Sequence, residues 1–241
     1  MYALLTKEFR SFFASPVGYM VISLFLVLNG LFLWVFKGDY NILDYGFSDL
    51  TGFFNLAPWI LLFLIPAITM KSFSEEFKLG TLEILVTKPI GLLEIVAGKY
   101  FGTLSVSLIA LLPTFLYVYS IWQLGNPPGN IDLGSTFGSY IGLVFLMMAY
   151  TAIGLFASTL TGNQIAAFIL AVFLAFLFYF GFEGIASITE FPFYIEEWGM
   201  KAHFESIGRG VIDTRDLIYF ISLTCFFIYL TVVFLKMRSQ A

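Results

Sequence analysis

One cysteine and one histidine occur in 241 residues, and only 12% of positions are charged. Each shortage closes off a class of protein. Cys225 has no second cysteine to pair with, which excludes a disulfide scaffold. His203 has no cysteine near it, so neither a metal site nor a cofactor is expected. A soluble domain carries roughly 25% charged residues, and a chain with about half that share cannot present a solvated surface all round. Acids outnumber bases, 16 to 12, and a chain of that balance lacks the basic face that nucleic acid needs, so no nucleic-acid partner is expected. No polar stretch is long enough for a cytosolic nucleotide-binding domain.

What remains is apolar. Hydrophobic residues make up 59% of the chain, aromatic residues 20%, and phenylalanine alone fills 30 positions. Mean hydropathy is +0.91. Disorder is excluded by the same figures, and a polytopic membrane protein is implied.

A bilayer core of about 30 Å takes roughly 20 apolar residues as helix. Charge-free stretches of that order lie at Val17–Phe36, Phe53–Met70 and Tyr100–Trp122. No charged residue occurs from Leu133 to Phe182, and the polar run Ser158 to Gln164 divides that stretch into spans near Thr136–Ala157 and Ile165–Phe182. A sixth span, Leu217–Leu235, is closed by Lys236 and Arg238. The runs are continuous rather than alternating, so they are helices and not barrel strands.

Lys and Arg set the orientation. With the N-terminus in the cytoplasm, residues 1–16, 71–99, 158–164 and 236–241 carry eight bases against five acids, a balance of +3. The outer loops carry four bases against eleven acids, a balance of −7. Both termini are then cytoplasmic, in the inner membrane if the cell is bacterial. The N-terminus lacks a cleavage pattern, so the first span is read as retained.

Three segments are not simple spans. Residues 1–15 form an amphipathic stretch with Leu5, Phe9, Phe12 and Phe13 on one helical face. It suits an interfacial helix whose phenylalanines dip into the acyl boundary, turned into the first span at Ser15-Pro16. The competing reading is a frayed start of that span. Residues 71–99 hold four Lys and four Glu yet stay rich in Leu, Ile and Val. Gly80 ends the helix leaving the second span, Thr81 is an N-cap candidate with Glu83 in the first turn, and Pro89 suits the first position of the next helix. The spacing predicts a short helix over 81–86, held crosswise beneath the membrane, that either grips a cytosolic partner or rests on headgroups. Residues 183–216 carry seven acids, three bases and much aromatic mass. They predict one or two short helices, with Trp198, Phe204 and Ile207 as the apolar positions, and Asp213 and Asp216 as caps of the last span.

Catalytic chemistry is not legible. The six spans hold no ionisable acid, base or imidazole, and Cys225 reads as a small packing residue. Gly91 through Lys99 faintly resembles a phosphate loop, but six residues separate its glycines and Tyr100 follows the lysine, where four residues and a Ser or Thr are required. The chain is not expected to be an enzyme; any ATP chemistry belongs to another chain. Small residues recur every four positions at Gly134, Gly138 and Gly142, and again at Gly154, Ser158 and Gly162. That spacing serves close packing inside one bundle in preference to a dimer seam. Pro58, Pro66 and Pro113 imply kinks.

The stretch from Phe73 through Glu75, Glu76, Gly80 and Thr81 to Ile90 is similar to the segment of ABC-2 type permeases that opens on paired glutamates and runs into their coupling helix. Ser15-Pro-Val-Gly-Tyr19, Gly98-Lys99, Thr161-Gly-Asn-Gln164 and residues 210–220 resemble the same family. Within it the set is most similar to the gliding-motility-associated permease subunits of Bacteroidota. The resemblance implies an all-α polytopic membrane protein: six transmembrane helices, an N-terminal interfacial helix, a cytoplasmic coupling helix, and short extracytoplasmic helices before the last span. All 241 residues form a single transmembrane domain in this reading. It further implies a separate dimeric ABC ATPase contacting Glu75, Glu76, Gly80, Thr81, Leu82 and Glu83. A second permease copy, or a related membrane subunit with an extracytoplasmic domain, completes the pathway. The competing reading is a structural or assembly subunit with no transport path.

Overall fold

The computed structural model describes residues 2–81, 90–188 and 195–240. Helices make up most of this range, and no strand occurs among the described residues. Six helices among them are long and apolar enough to cross a bilayer: Pro16–Val35, Thr51–Leu79, Leu92–Leu124, Leu133–Leu160, Gln164–Ile188 and Thr214–Arg238. Each overlaps a span expected from the sequence. The protein is an all-α polytopic membrane protein.

Helix α1 is Tyr2–Ala14, and α2, Pro16–Gly30, begins the first span with Pro16 in its first turn. Here the ring's fixed φ and missing N–H cost nothing. A one-turn helix, α3, covers Ile42–Tyr45. The second span is α4, Thr51–Thr69, continued by α5, Lys71–Leu79. The third comprises α6, Leu92–Leu111, a 3₁₀ turn at Leu112–Thr114 and α7, Phe115–Leu124. The break sits at Pro113, whose missing N–H ends the α-ladder as the sequence implies. The fourth span is the unbroken α8, Leu133–Leu160, and the fifth is α9, Gln164–Phe176. A wide turn at Leu177–Gly181 and α10, Phe182–Ile188, extend the fifth. The connection to the last span holds a 3₁₀ turn at Ile195–Trp198 and α11, Met200–Gly208. The last span is α12, Thr214–Gln240.

The fourth span is the axis of the bundle. Of its most apolar stretch 78% is buried, against 22% for each of the fifth and sixth spans. Small residues explain the difference: Gly138, Gly142, Ala149, Ala152, Gly154 and Ala157 are all buried along it. The outer faces of the first, fifth and sixth spans expose Leu24, Val27, Ile169, Phe173, Ile221 and Phe226, which suits helices whose solvent is lipid. Several hydroxyls inside the spans are satisfied within their own helices. Thr103, Ser107, Thr151 and Thr231 each donate to the carbonyl four residues earlier, at 2.7–3.2 Å.

Several local expectations change. The third-span helix begins at Leu92, after Gly91 in extended conformation (φ −66°, ψ 146°), so the glycine ends the preceding segment and Leu92 to Lys99 alone extend the helix. The expected helix start at Pro89 therefore gives way to Leu92, and of the helix expected at 81–86 only Thr81, which is non-helical, lies within the described residues. Before the last span a 3₁₀ turn and one short helix form, as expected, separated at Gly199 (ψ 144°). Met200, Phe204 and Ile207 face inward, and Trp198 is 70% exposed. Cys225 is exposed on the last span and is not a packing residue.

The glycine ladder receives that returning helix. A Cβ at Gly138 would stand 2.5 Å from the Ile207 carbonyl, and one at Gly142 would stand 3.0 Å from the Phe204 ring. Ser135 Oγ donates to the Gly208 carbonyl at 2.7 Å. The partner of the ladder is thus α11 of the same chain. Further along, Gly154 meets the side chain of Thr69 in the second span.

Candidate functional site

The N-terminal helix, α5, the start of α6 and the C-terminal turn of α12 gather at one end of the bundle. Arg238 lies over the Phe77 ring at 4.2 Å and reaches the Leu160 carbonyl at 3.4 Å. At this end a charged cluster is buried.

Helix α1 crosses α6 at Gly102. A Cβ there would stand 2.7 Å from Glu8 Cβ, closer than two carbons tolerate, so the bare glycine sets the distance between the helices. The crossing delivers Glu8 to Lys99, one turn earlier on α6. Lys99 Nζ donates to Glu8 Oε1 at 3.0 Å and pairs with Glu76 Oε1 at 2.9 Å. It also donates to the Ser72 carbonyl at 2.7 Å. An ammonium has three N–H groups and no acceptor, and here each has a partner. The Lys99 side chain is 3% exposed, and Glu8 and Glu76 are 14% and 16% exposed. The fully buried Phe73 ring covers the ammonium at 5.1 Å from its centroid.

Two carboxylates therefore face one ammonium. Glu76 Oε2 is buried without a hydrogen-bond partner among the described residues. Hydrogen bonds to charged groups contribute roughly 1.5–3 kcal/mol each, and removing one partner of a buried pair costs roughly 3–5 kcal/mol. The cluster joins three elements from distant parts of the chain: α1 through Glu8, α5 through Ser72 and Glu76, and α6 through Lys99. Displacing any one of them strands buried charge.

The cluster also adjoins the end of α5, where the chain leaves the helix at Gly80 and Thr81. Helix α5 ends at Gly80, whose φ of +66° is a left-handed conformation that disfavours any side chain. The Gly80 N–H donates to the Phe77 carbonyl and the Thr81 N–H to the Glu76 carbonyl, at 3.3 and 3.0 Å, closing the helix in a Schellman motif. Glu76 thus belongs to both the ion cluster and the helix end from which the segment departs.

Of the residues singled out from the sequence, Glu76 is in the cluster, Glu75 is exposed beside it, and Gly80 forms the stop. Thr81 follows as a non-helical residue; Leu82 and Glu83 lie outside the described residues. Leu5, Phe9, Phe12 and Phe13 are half-buried on α1, with Phe9 and Phe13 rings 5.0 Å apart. Phe9, Phe12 and Phe13 pack against the protein core, because α1 docks along α6. Asp213 Oδ1 accepts from the Arg215 N–H at 2.9 Å, as a capping carboxylate does. Asp216 does not cap. It is 5% exposed, and its Oδ1 lies 2.6 Å from His203 Nδ1. The His203 ring stacks on Tyr219 at 3.9 Å, so it is an anchor between α11 and α12 rather than a solvated loop side chain.

Sequence reasoning missed Lys99 and Glu8 as a pair. The available signal was a lysine three residues before a glycine, in a helix whose one other charged residue is Glu94 in the first turn; nothing in the sequence indicated which carboxylates would meet it. Lys99, which had a faint likeness to a phosphate-loop lysine, has all its donors engaged.

Fold and cluster together define a polytopic helical membrane protein whose N-terminal helix is locked to its second and third spans. Residues 2–234 match the family described as ABC-2 family transporter protein, and the chain belongs to that family. Comparison with curated proteins gives no match.

Proposed function

We propose that the chain is the permease subunit of an ABC-2 exporter, of the gliding-motility-associated kind, in a bacterial inner membrane with both termini cytoplasmic. A separate ABC ATPase dimer binds the segment 71–99 and supplies the ATP hydrolysis; this chain carries no nucleotide site. A second six-span subunit, either a copy or a related protein with an extracytoplasmic domain, completes the path.

The observation that carries this reading is the Glu8–Lys99–Glu76 cluster behind Gly80. A push on residues 81–90 is received by α5. The buried ion pairs resist separation, so α1 and α6 move with α5 instead of letting it slide. The excess of Lys and Arg at this end of the bundle supports its placement in the cytoplasm.

The test is to purify the full chain gently, identify the ATPase that accompanies it, and measure ATP turnover with and without the permease. Gly80→Pro, or Glu75→Lys with Glu76→Lys, is expected to abolish the permease's effect on ATP turnover while the protein still reaches the membrane. Normal coupling in both variants overturns the assignment. An accompanying ATPase whose turnover the wild-type chain does not alter supports the scaffold reading instead.

A further inference from the structure

Beside the ion cluster, between α1 and α5, lies a cleft of about 490 Å³, whose wall shares Glu75 and Glu76 with the coupling segment. Its walls are of three kinds. Lys7 and Lys71 supply positive charge, Glu75 and Glu76 supply negative charge, and Phe12, Val17 and Ile68 supply apolar surface. Neither Lys7, Lys71 nor Glu75 has an ion-pair partner among the described residues. The cleft sits at the bend between α1 and the first span, and at the level where the second span passes from Ile68 into Lys71. The charge-free run of the second span ends at Met70, so the headgroup zone of the leaflet on this side is expected at this level.

We propose that this cleft holds the headgroup of an aminophospholipid of the phosphatidylethanolamine class. Its phosphate lies between Lys7 and Lys71, with the Ser11 hydroxyl in the same wall. Its ammonium lies against Glu75 and over Glu76. The lining holds Lys7, Lys71 and Lys99 against Glu8, Glu75 and Glu76, so a neutral zwitterion leaves its charge balanced, while the ligand's ammonium supplies the N–H donor that Glu76 Oε2 lacks. The acyl chains leave along Val17 and Ile68 into the bilayer. Charge of both signs selects a zwitterion over an anionic lipid. A primary ammonium, which brings N–H donors to carboxylates, is selected over a quaternary one, which has none. The proposal does not depend on ATPase coupling.

The test uses the full chain, stripped of loosely held lipid in detergent and offered an equimolar mixture of phosphatidylethanolamine, phosphatidylcholine and phosphatidylglycerol. Bound lipid is read by native mass spectrometry. The ethanolamine adduct is expected to exceed each of the others by about tenfold, the worth of one charge-assisted hydrogen bond. Lys7→Gln with Lys71→Gln is expected to remove most of the adduct, whereas Lys7→Arg with Lys71→Arg keeps it. Glu75→Gln brings ethanolamine and glycerol lipids close to parity. Water-soluble phosphoethanolamine, which lacks acyl chains, is not retained. Equal retention of the three lipids overturns the proposal. So does loss of the adduct in the arginine pair as complete as in the glutamine pair, an unaltered preference in Glu75→Gln, or retention of free phosphoethanolamine as firm as that of the lipid.

Discussion

Glu8 and Lys99 are separated by 91 positions in sequence and by 3.0 Å between Oε1 and Nζ. The contact exists because α1 crosses α6 over Gly102, and it is shared with Glu76 on α5. An N-terminal helix that reads as a membrane-surface ornament is therefore an integral part of the bundle's charged end.

Replacing Lys99 tests the cluster most directly. Lys99→Met leaves two buried carboxylates facing each other and is expected to cost about 3–5 kcal/mol. Glu8→Gln removes the excess negative charge while Lys99 keeps Glu76 and the Ser72 carbonyl, so its cost is expected to be clearly smaller. Thermal unfolding of the detergent-solubilised chain ranks the two, and equal melting of both variants contradicts the account.

Gly102→Leu probes the crossing without touching a charge. The new side chain must displace Glu8 Cβ, and overpacking of this kind costs about 1–3 kcal/mol. Amide hydrogen exchange over residues 2–14 is expected to accelerate while the fourth span stays protected. Unchanged exchange in α1 means that the helix is held by something other than this contact.

At the opposite end, Gly138→Leu removes the seat of α11. A Cβ alone meets the Ile207 carbonyl at 2.5 Å, and a backbone atom cannot rotate away as a side chain does. The expected result is faster proteolysis between residues 195 and 213, with the spans intact. A hairpin as resistant as the wild type sinks the assignment of the glycine ladder to α11.

His203→Ala leaves Asp216 buried with neither carboxylate oxygen partnered, at a cost of about 1–3 kcal/mol. Exchange over residues 200–208 is expected to rise, and His203→Gln, which restores an N–H donor, is expected to recover part of the protection. Identical exchange in all three forms removes the pair from the list of anchors.

Gly80 and Pro113 illustrate what could be read directly. A glycine after an amphipathic turn and a proline inside an apolar run act through their own backbone, so the left-handed stop and the 3₁₀ break stand where the residues stand. Asp216 illustrates the opposite case. Its position after Asp213 fits a helix start, yet burial against His203 took the carboxylate away from the helix's free N–H groups. The Gly134, Gly138 and Gly142 ladder is intermediate: its spacing announced a close neighbour, and only the chain's return through α11 revealed which one.

The amino-acid order alone determined six spans, the all-α class and the places where helices stop, because each follows from transferring a local stretch of side chains and backbone between water and hydrocarbon. Tertiary structure alone decided that Lys99 is buried between Glu8, Glu76 and Ser72, and that α11 lies in the groove of the fourth span. Those outcomes depend on where helices cross, and a crossing is fixed by the shapes of two surfaces distant in sequence, which no local transfer energy encodes.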